Sequence, residues 1–322
     1  MSELAKTARV FVAGHRGMVG AALVRRLAAA GFESIITRTR AELDLTCQAD
    51  VADFFSAERP QVVFLAAAKV GGILANNTFP AEFIRDNLAI QDNVIHQAWK
   101  SGVQRLVFLG SSCIYPRECP QPMKEDHLLT GPLEPTNAPY AVAKIAGISM
   151  CEAYNRQYGT DYIAVMPTNL YGPGDNYDLH GSHVLPAMIR KFTEAAERGD
   201  ATVTLWGSGT PRREFLHVDD LADACLYLAD RVHADKDAMP LINAGWGKDI
   251  SIRELAELVQ KLTGFTGDIV WDATKPDGTP RKLLDTSRLT ALGWTPTIGL
   301  EDGVRQSVAD FHAEREKGTV RG

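Results

Sequence analysis

The 322-residue sequence is short of several things, and each shortage closes off a class of protein. Basic residues are outnumbered, 34 Lys and Arg against 40 Asp and Glu, for a net charge of −6. Without clustered cations there is no general affinity for nucleic acid or for an anionic membrane. A few placed cations would still hold a small anionic ligand. The five cysteines are Cys47, Cys113, Cys119, Cys151 and Cys225, an odd number with no Cys-x-x-Cys pair. That pattern predicts a reduced chain with neither a disulfide framework nor a metal site. The longest apolar run, residues 62–68, is far below the roughly 20 residues that cross a bilayer. The opening residues lack the basic and then apolar run of a secretory leader, so the expected location is the cytoplasm. Internal repeats and Ser/Gly-rich linkers are missing too.

What is present is ordinary globular usage, with 45% hydrophobic and 23% charged residues. At roughly 150 residues per domain the length suggests two domains. In the first half, short apolar runs (residues 9–13, 34–37, 62–65, 106–109 and 162–165) alternate with amphipathic helical patterns (19–30, 81–101 and 139–158). Near-continuous apolar strands separated by helices predict a parallel sheet covered on both faces. The fold class is therefore α/β, a doubly wound parallel sheet of the Rossmann type. After Tyr171-Gly-Pro-Gly the rhythm changes to helices (183–198, 218–231, 252–262, 300–316) with scattered short strands (203–206, 269–271). The expected division is a dinucleotide-binding domain over 1–172, to which the chain returns at about 214–245. A smaller mixed α/β substrate domain covers 173–322.

Gly14-His-Arg-Gly17-Met-Val-Gly20 follows the first strand and opens the first helix. Glycines there permit a tight turn and close approach of the backbone to a pyrophosphate at the helix N-terminus. NAD binders usually place an acid near the end of the second strand to bond the ribose 2′-hydroxyl. This chain has Thr37-Arg38-Thr39-Arg40, with Arg16 inside the glycine loop. A guanidinium fork matches the oxygens of a 2′-phosphate, so the cofactor is expected to be NADP(H), clamped by Arg16 and Arg40. Arg38 is equally readable as a solvated charge.

Tyr140-Ala-Val-Ala-Lys144 lies on a helix pattern, and a spacing of four puts both side chains on one face. Lys144 would tune the phenol and hydrogen-bond a ribose hydroxyl. Tyr140 would protonate a carbonyl oxygen as hydride reaches the carbon. Ser111 is placed at the end of the fourth strand, where ligands of open α/β sheets bind, with Ser112 as its rival.

These features, together with Pro167-Thr-Asn-Leu-Tyr-Gly-Pro173 and Arg213-Glu-Phe-Leu-His-Val-Asp-Asp220, resemble the extended short-chain dehydrogenase/reductases over nearly the whole chain. Finer motifs narrow the resemblance to the branch that converts GDP-4-keto-6-deoxy-D-mannose to GDP-L-fucose. They are Gly14 to Gly20, Ala66-Ala-Ala-Lys-Val-Gly-Gly-Ile73 with Asn76-Asn77, Gly110-Ser-Ser-Cys-Ile-Tyr-Pro116, Glu134-Pro-Thr-Asn137, Trp206-Gly-Ser-Gly-Thr210 and Lys275-Pro-Asp-Gly-Thr-Pro-Arg-Lys282. The resemblance implies epimerisation at carbons 3 and 5 by Cys113 and His183 as base and acid, then 4-keto reduction. Ser111 and Tyr140 would stabilise the enolate oxygen. For the cofactor it implies Gly14, His15, Arg16, Gly17, Met18, Val19, Gly20, Arg40, Leu109, Lys144, Pro167, Asn169, Leu170 and His183. For the GDP-sugar it implies Lys191, Trp206, Arg213, Asp277 and Lys282. Lys191 departs from the family's arginine, which puts a point charge where a fork is usual. The resemblance also implies a homodimer.

Two other readings stand beside this one. Another nucleotide-sugar 4-epimerase or 4-reductase would need no Cys113 and His183 pair. A non-enzymatic NADP-binding sensor would generally lack the Ser, Tyr and Lys set.

Overall fold

The computed structural model describes residues 4–179, 181–235, 238, 241–275 and 277–321. Pro276 of the 275–282 motif and the terminal Gly322 lie outside the described residues. The first half runs β1 (Arg9–Ala13), α1 (Met18–Ala29), β2 (Ser34–Ile36), α2 (Gln48–Glu58), β3 (Val62–Leu65), α3 (Ile73–Thr78), α4 (Pro80–Lys100), β4 (Arg105–Leu109), α5 (Ala138–Tyr158) and β5 (Tyr162–Pro167). The rest runs β6 (Asn169–Tyr171), α6 (Val184–Arg198), β7 (Thr202–Trp206), β8 (Arg212–His217), α7 (Val218–Arg231), β9 (Leu241–Ala244), β10 (Asp249–Ser251), α8 (Ile252–Thr263), β11 (Asp268–Asp272), β12 (Arg281–Lys282), α9 (Ser287–Ala291) and α10 (Leu300–Lys317).

Six parallel strands form the main sheet in the order β2-β1-β3-β4-β5-β9. β3, β4 and β5 are buried at every residue, as strands covered on both faces must be. One core lies between the sheet and the α2, α4 and α5 side, where Phe54, Phe55, Val94, Ile95 and Ile148 pack. The other joins α1 to α7 through Leu23, Leu27, Leu221, Cys225 and Leu228. This is the doubly wound α/β architecture read from the alternating apolar runs. The strand order changes direction between β1 and β3, and ligands of such sheets sit beyond the carboxyl ends of the strands at that point.

A third core (Leu185, Ile189, Phe192, Leu255, Val259, Phe311) holds α6, α8 and α10 together. Two small sheets complete this part: β10-β8-β12 with β6 beside β8, and the parallel pair β11-β7. Helix ends follow local chemistry. α8 opens with a capping box of Ser251 and Glu254, and α5 stops at Gly159 in the left-handed region.

The observed elements differ from the expected ones mainly at edges, by one residue or two. Eight were not expected from the sequence, α2, α3, α9, β6, β8, β9, β10 and β12, most of them short. α2 lies after a stretch with no strong periodic signal. β8 carries Arg212, Arg213 and Glu214 among its six residues, so its apolar signal is confined to Phe215 and Leu216, which enter the cores. β9 is only four residues long.

Candidate active site

The glycine loop turns where the sequence places it. Gly14 has φ +90°, and a Cβ there would meet the Ala67 amide nitrogen at 2.7 Å. A Cβ on Gly20 would lie 2.1 Å from the Gly14 carbonyl oxygen. The loop is thus packed against the end of β3 and against the first turn of α1, of which Gly17 is the N-cap. Met18 and Val19 open that helix, and the buried His15 Nδ1 has no hydrogen-bond partner among the described residues. Nothing but hydrogen fits at Gly14 and Gly20, and no side chain caps the N-terminus of α1, which leaves its first amides for a pyrophosphate.

The arginines after β2 divide in a way the sequence left open. Arg38 is engaged, with its fork 2.5 Å from a Glu58 carboxylate oxygen and its guanidinium over the Phe54 ring. Arg16 and Arg40 are exposed and make no ion pair among the described residues. Arg16 lies in the glycine loop and Arg40 follows β2, so both guanidinium groups are open to a ligand.

At the ends of β4 and β5 the catalytic candidates converge. Ser111 follows β4 and precedes a short 3-10 turn, Ser112–Ile114, that buries Cys113. Its hydroxyl faces both the Cys113 thiol and the Tyr140 phenol, and it favours the ionised form of each. The rival Ser112 has no such contact. Lys144 is buried, and its Nζ donates a hydrogen bond to the Leu109 carbonyl at 2.8 Å. That nitrogen lies 5.8 Å from the centre of the Tyr140 ring. Burial pulls the Lys144 ammonium down to about 8, against an opposing pull from Cys113.

Burial also pushes the Tyr140 phenol up, so the residue is a neutral O–H donor at physiological pH. The groups that act on the phenol in this structure are Cys113, which raises it further, and Ser111, which lowers it, while the Lys144 ammonium donates one of its three hydrogens to Leu109. The Cys113 thiol is likewise pushed up by burial, with Ser111, Lys282 and Lys144 pulling the other way. Desolvation wins over the cations while the cleft holds no substrate.

The remaining candidates come from the second region. His183 is the N-cap of α6; it is open to the cleft yet surrounded by enough protein to lower its pKa, so the ring is neutral. Its carbonyl accepts from the Ala187 amide, and its ring makes no hydrogen bond among the described residues. Pro167 ends β5, while Asn169 and Leu170 lie on β6, where the Asn169 amide donates to the Glu214 carbonyl at 2.8 Å.

β8 and β12 bring Arg213 and Lys282 side by side in register. Both lose solvent, which lowers their pKa values, and Asp277 and Cys113 respectively pull them back. Asp277 accepts from the Ser208 amide at 2.9 Å and from its hydroxyl at 2.7 Å, which fixes the 275–282 loop over the end of β7. Trp206, at 69% exposure, stands at that end with the Lys275 ammonium over its ring. On α6, Arg190 is tied to Glu194 and to the Tyr177 carbonyl. Lys191 makes only a long contact, 3.4 Å, with the Thr204 carbonyl.

Sequence reasoning missed a set of buried polar side chains around this site. Asn87 brackets Lys69 by accepting from its amide and donating to its carbonyl. Gln91 on α4 donates to the Ala143 carbonyl, the residue before Lys144. Asn243 and Glu214 join the loop after Ser111 to the strand carrying Lys282. Their signal in sequence is faint: a polar residue on the buried face of a helix, as at Asn87 and Gln91, or within a strand, as at Glu214 and Asn243. Among the described residues no cluster of His, Cys, Asp and Glu could hold a metal, and no helix is long and apolar enough to cross a membrane.

Comparison with known proteins points the same way. The model of the NAD dependent epimerase/dehydratase family matches residues 10–245. GDP-L-fucose synthase 1 of Arabidopsis thaliana is 59% identical over 302 residues, which are 94% of this chain and 92% of that protein. GDP-L-fucose synthase of Escherichia coli (strain K12) is 54% identical over 96% of this chain and 98% of its own length. Among solved structures, a GDP-L-fucose synthetase from Naegleria fowleri bound to NADP superposes with a TM-score of 0.90. It is 25% identical, over 99% of this chain and 98% of that one. A glycine cradle, a buried Tyr and Lys pair and a family match over most of the chain agree, and the protein belongs to the NAD dependent epimerase/dehydratase family.

Proposed function

We propose that this chain converts GDP-4-keto-6-deoxy-D-mannose to GDP-L-fucose, using NADPH. The observation that carries the reading is the convergence of Cys113, Ser111, Tyr140 and Lys144 beyond β4, with the Lys282 charge reaching the thiol. An enzyme that only reduced or 4-epimerised would have no use for a thiol there.

Carbons 3 and 5 of the substrate flank the ketone at carbon 4, so their protons are acidic through an enolate. Cys113 takes a proton from one ring face and His183 supplies one to the other. The reacting forms are the Cys113 thiolate, which Ser111, Lys282 and Lys144 favour, and the His183 imidazolium, so each inversion moves one proton onto the sulfur and one off the ring. Ser111 and Tyr140 donate hydrogen bonds to the developing oxyanion. Tyr140, held neutral by burial, then gives its proton to the carbon 4 oxygen. NADPH supplies the hydride when bound. The cradle of residues 14–20 would hold its pyrophosphate, Arg16 and Arg40 its 2′-phosphate, and Lys144 its ribose. Leu109, Pro167, Asn169 and Leu170 line the same strand ends. Arg213, Lys282, Lys191, Asp277 and Trp206 would receive the GDP moiety.

The same reading gives residues 1–172, with the return at 214–245, to the cofactor, and the remainder to the sugar nucleotide. It places the enzyme in the cytoplasm, where a catalytic thiol stays reduced. A homodimer through α4 and α5 would cover Leu88, Val142 and Tyr158, which are exposed on those helices; light scattering would give the mass.

The direct test mixes the protein with GDP-4-keto-6-deoxy-D-mannose and NADPH and follows nicotinamide absorbance. Substrate-dependent oxidation, with GDP-L-fucose as the product, is the expected result. Its absence rejects the proposal. Oxidation without inversion at carbons 3 and 5 would leave a 4-reductase.

A further inference from the structure

Glu214 lies on β8 next to Arg213 and is fully buried. It has no ion-pair partner among the described residues. Its two carboxylate oxygens are instead filled by backbone amides: Gly247 at 2.7 Å and Leu284 at 3.0 Å. Leu284 stands two residues after Lys282, just past β12, which pairs with β8 through only Arg281 and Lys282. A two-residue ladder is a weak anchor, and contacts beyond it hold the chain, among them three at Leu283 and Leu284 and a bond from the Asp285 amide to the Met123 carbonyl. Glu214 takes the Leu284 amide, Gln121 takes the Leu283 amide at 2.8 Å, and the Met123 amide donates to the Leu283 carbonyl at 2.8 Å. Gln121 and Met123 belong to the loop that descends from Ser111 and Cys113. The strand carrying Lys282 is therefore clipped between β8 and the catalytic loop.

The surroundings are built for a carboxylate. A Cβ on Gly245 would lie 2.3 Å from a Glu214 oxygen, so only glycine leaves room for the group. Two inward-facing amide donors need two acceptor oxygens. Glutamine offers one oxygen and an amide that would confront an N–H. Burial pushes the Glu214 carboxyl up, while the amides of Leu284, Gly247 and Trp246 and the Thr168 hydroxyl pull it down.

We propose that Glu214 is a positioning residue, whose carboxyl group, through the Leu284 and Gly247 amides, sets Lys282 and Arg213 at the diphosphate end of the cleft and holds the Lys282 charge near Cys113. This rests on the reading above for the identity of the ligand. It adds a group that touches neither substrate nor cofactor.

Glu214→Gln tests it, with Gly245→Ala displacing the same carboxylate from the opposite side. The probes are GDP by calorimetry, NADPH by fluorescence, and alkylation of Cys113 by iodoacetamide against pH, located by peptide mass. We expect each variant to bind GDP at least about tenfold more weakly and NADPH within about twofold of wild type. The Cys113 alkylation curve should shift to higher pH, because its nearest cation is no longer held. A purely structural role would lower the melting temperature and leave the alkylation curve and the GDP affinity of the folded fraction in place. Should the glutamine variant not fold, Gly245→Ala decides alone. Unchanged GDP affinity with an unchanged alkylation curve overturns the proposal. Failure of the functional reading looks different: wild-type protein would then fail to bind GDP or to oxidise NADPH with the keto sugar.

Discussion

Replacing Lys144 by methionine should make the cofactor-free protein more stable and the enzyme inactive. The lysine is buried, and its ammonium is pulled from the ordinary 10.5 to about 8. At pH 7 the group is protonated in both the folded and the unfolded chain, and the folded chain carries the whole penalty of burying the charge. A shift of about 2.5 units at about 1.36 kcal/mol per unit puts that penalty on the order of 3 kcal/mol. Methionine removes it and leaves the Leu109 carbonyl unpaired, which costs about 1–2 kcal/mol. The variant should therefore gain roughly 1–2 kcal/mol at pH 7. The sign reverses in alkali. Between about pH 8 and 10.5 the unfolded chain binds a proton that the folded one does not, so wild-type stability rises with pH through this group. Near pH 10 the ammonium penalty has almost vanished, and methionine should be the less stable by about 1 kcal/mol. Urea unfolding of both proteins at pH 7, 8.5 and 10 measures the difference. Because other groups titrate in the same window, only the wild type-to-variant difference counts. A methionine variant that is less stable by the same amount at all three pH values would refute the account of Lys144 as a strained, functional cation.

Other consequences are accessible to simple assays. Arg40→Asp should weaken NADPH binding roughly a hundredfold and NADH binding less than about threefold, whereas Arg38→Met should move both little and equally, since Arg38 already faces Glu58; fluorescence titration with each nucleotide decides. Cys113→Ser should lose deuterium incorporation at carbons 3 and 5 in heavy water, while Tyr140→Phe should keep exchange and lose most NADPH oxidation. Exchange at the normal rate without the thiol removes the base assignment. Lys191→Arg should lower the KM for the GDP-sugar several-fold, because a fork replaces a point charge that now makes only a 3.4 Å contact. An unchanged KM would place that side chain outside the diphosphate site.

The parts of the site that were readable from sequence are those that obey a local rule. Gly14 to Gly20 has to be glycine-rich for steric reasons, and Tyr140 with Lys144 shares a face by helix periodicity. The apolar strands announce themselves by burial on both sides. What stayed hidden depends on pairing across the fold. No local signal distinguishes Arg38 from Arg40; only the position of Glu58, on a different element, separates them. Glu214 in a strand looks like an outward-facing charge until Gly247 and Leu284 are seen to cap it. The state of the Cys113 thiol depends on the fold in the same way: Lys282 and Lys144 reach it from other elements, and burial outweighs their pull.

The two anionic ligands would be gripped by unlike sets of cations, and ionic strength tells them apart. Arg16 and Arg40 stand in open water, where an added electrolyte of a few hundred millimolar shrinks the Debye length to a few ångströms and screens them almost completely. Arg213 and Lys282 are partly withdrawn from solvent, which is why their proton affinities fall, and mobile ions reach them less readily. Raising potassium chloride should thus loosen the nicotinamide nucleotide far more than the guanine nucleotide. Saturation with reductant becomes the step that responds to the osmotic state of the surroundings, while capture of the sugar nucleotide stays nearly constant.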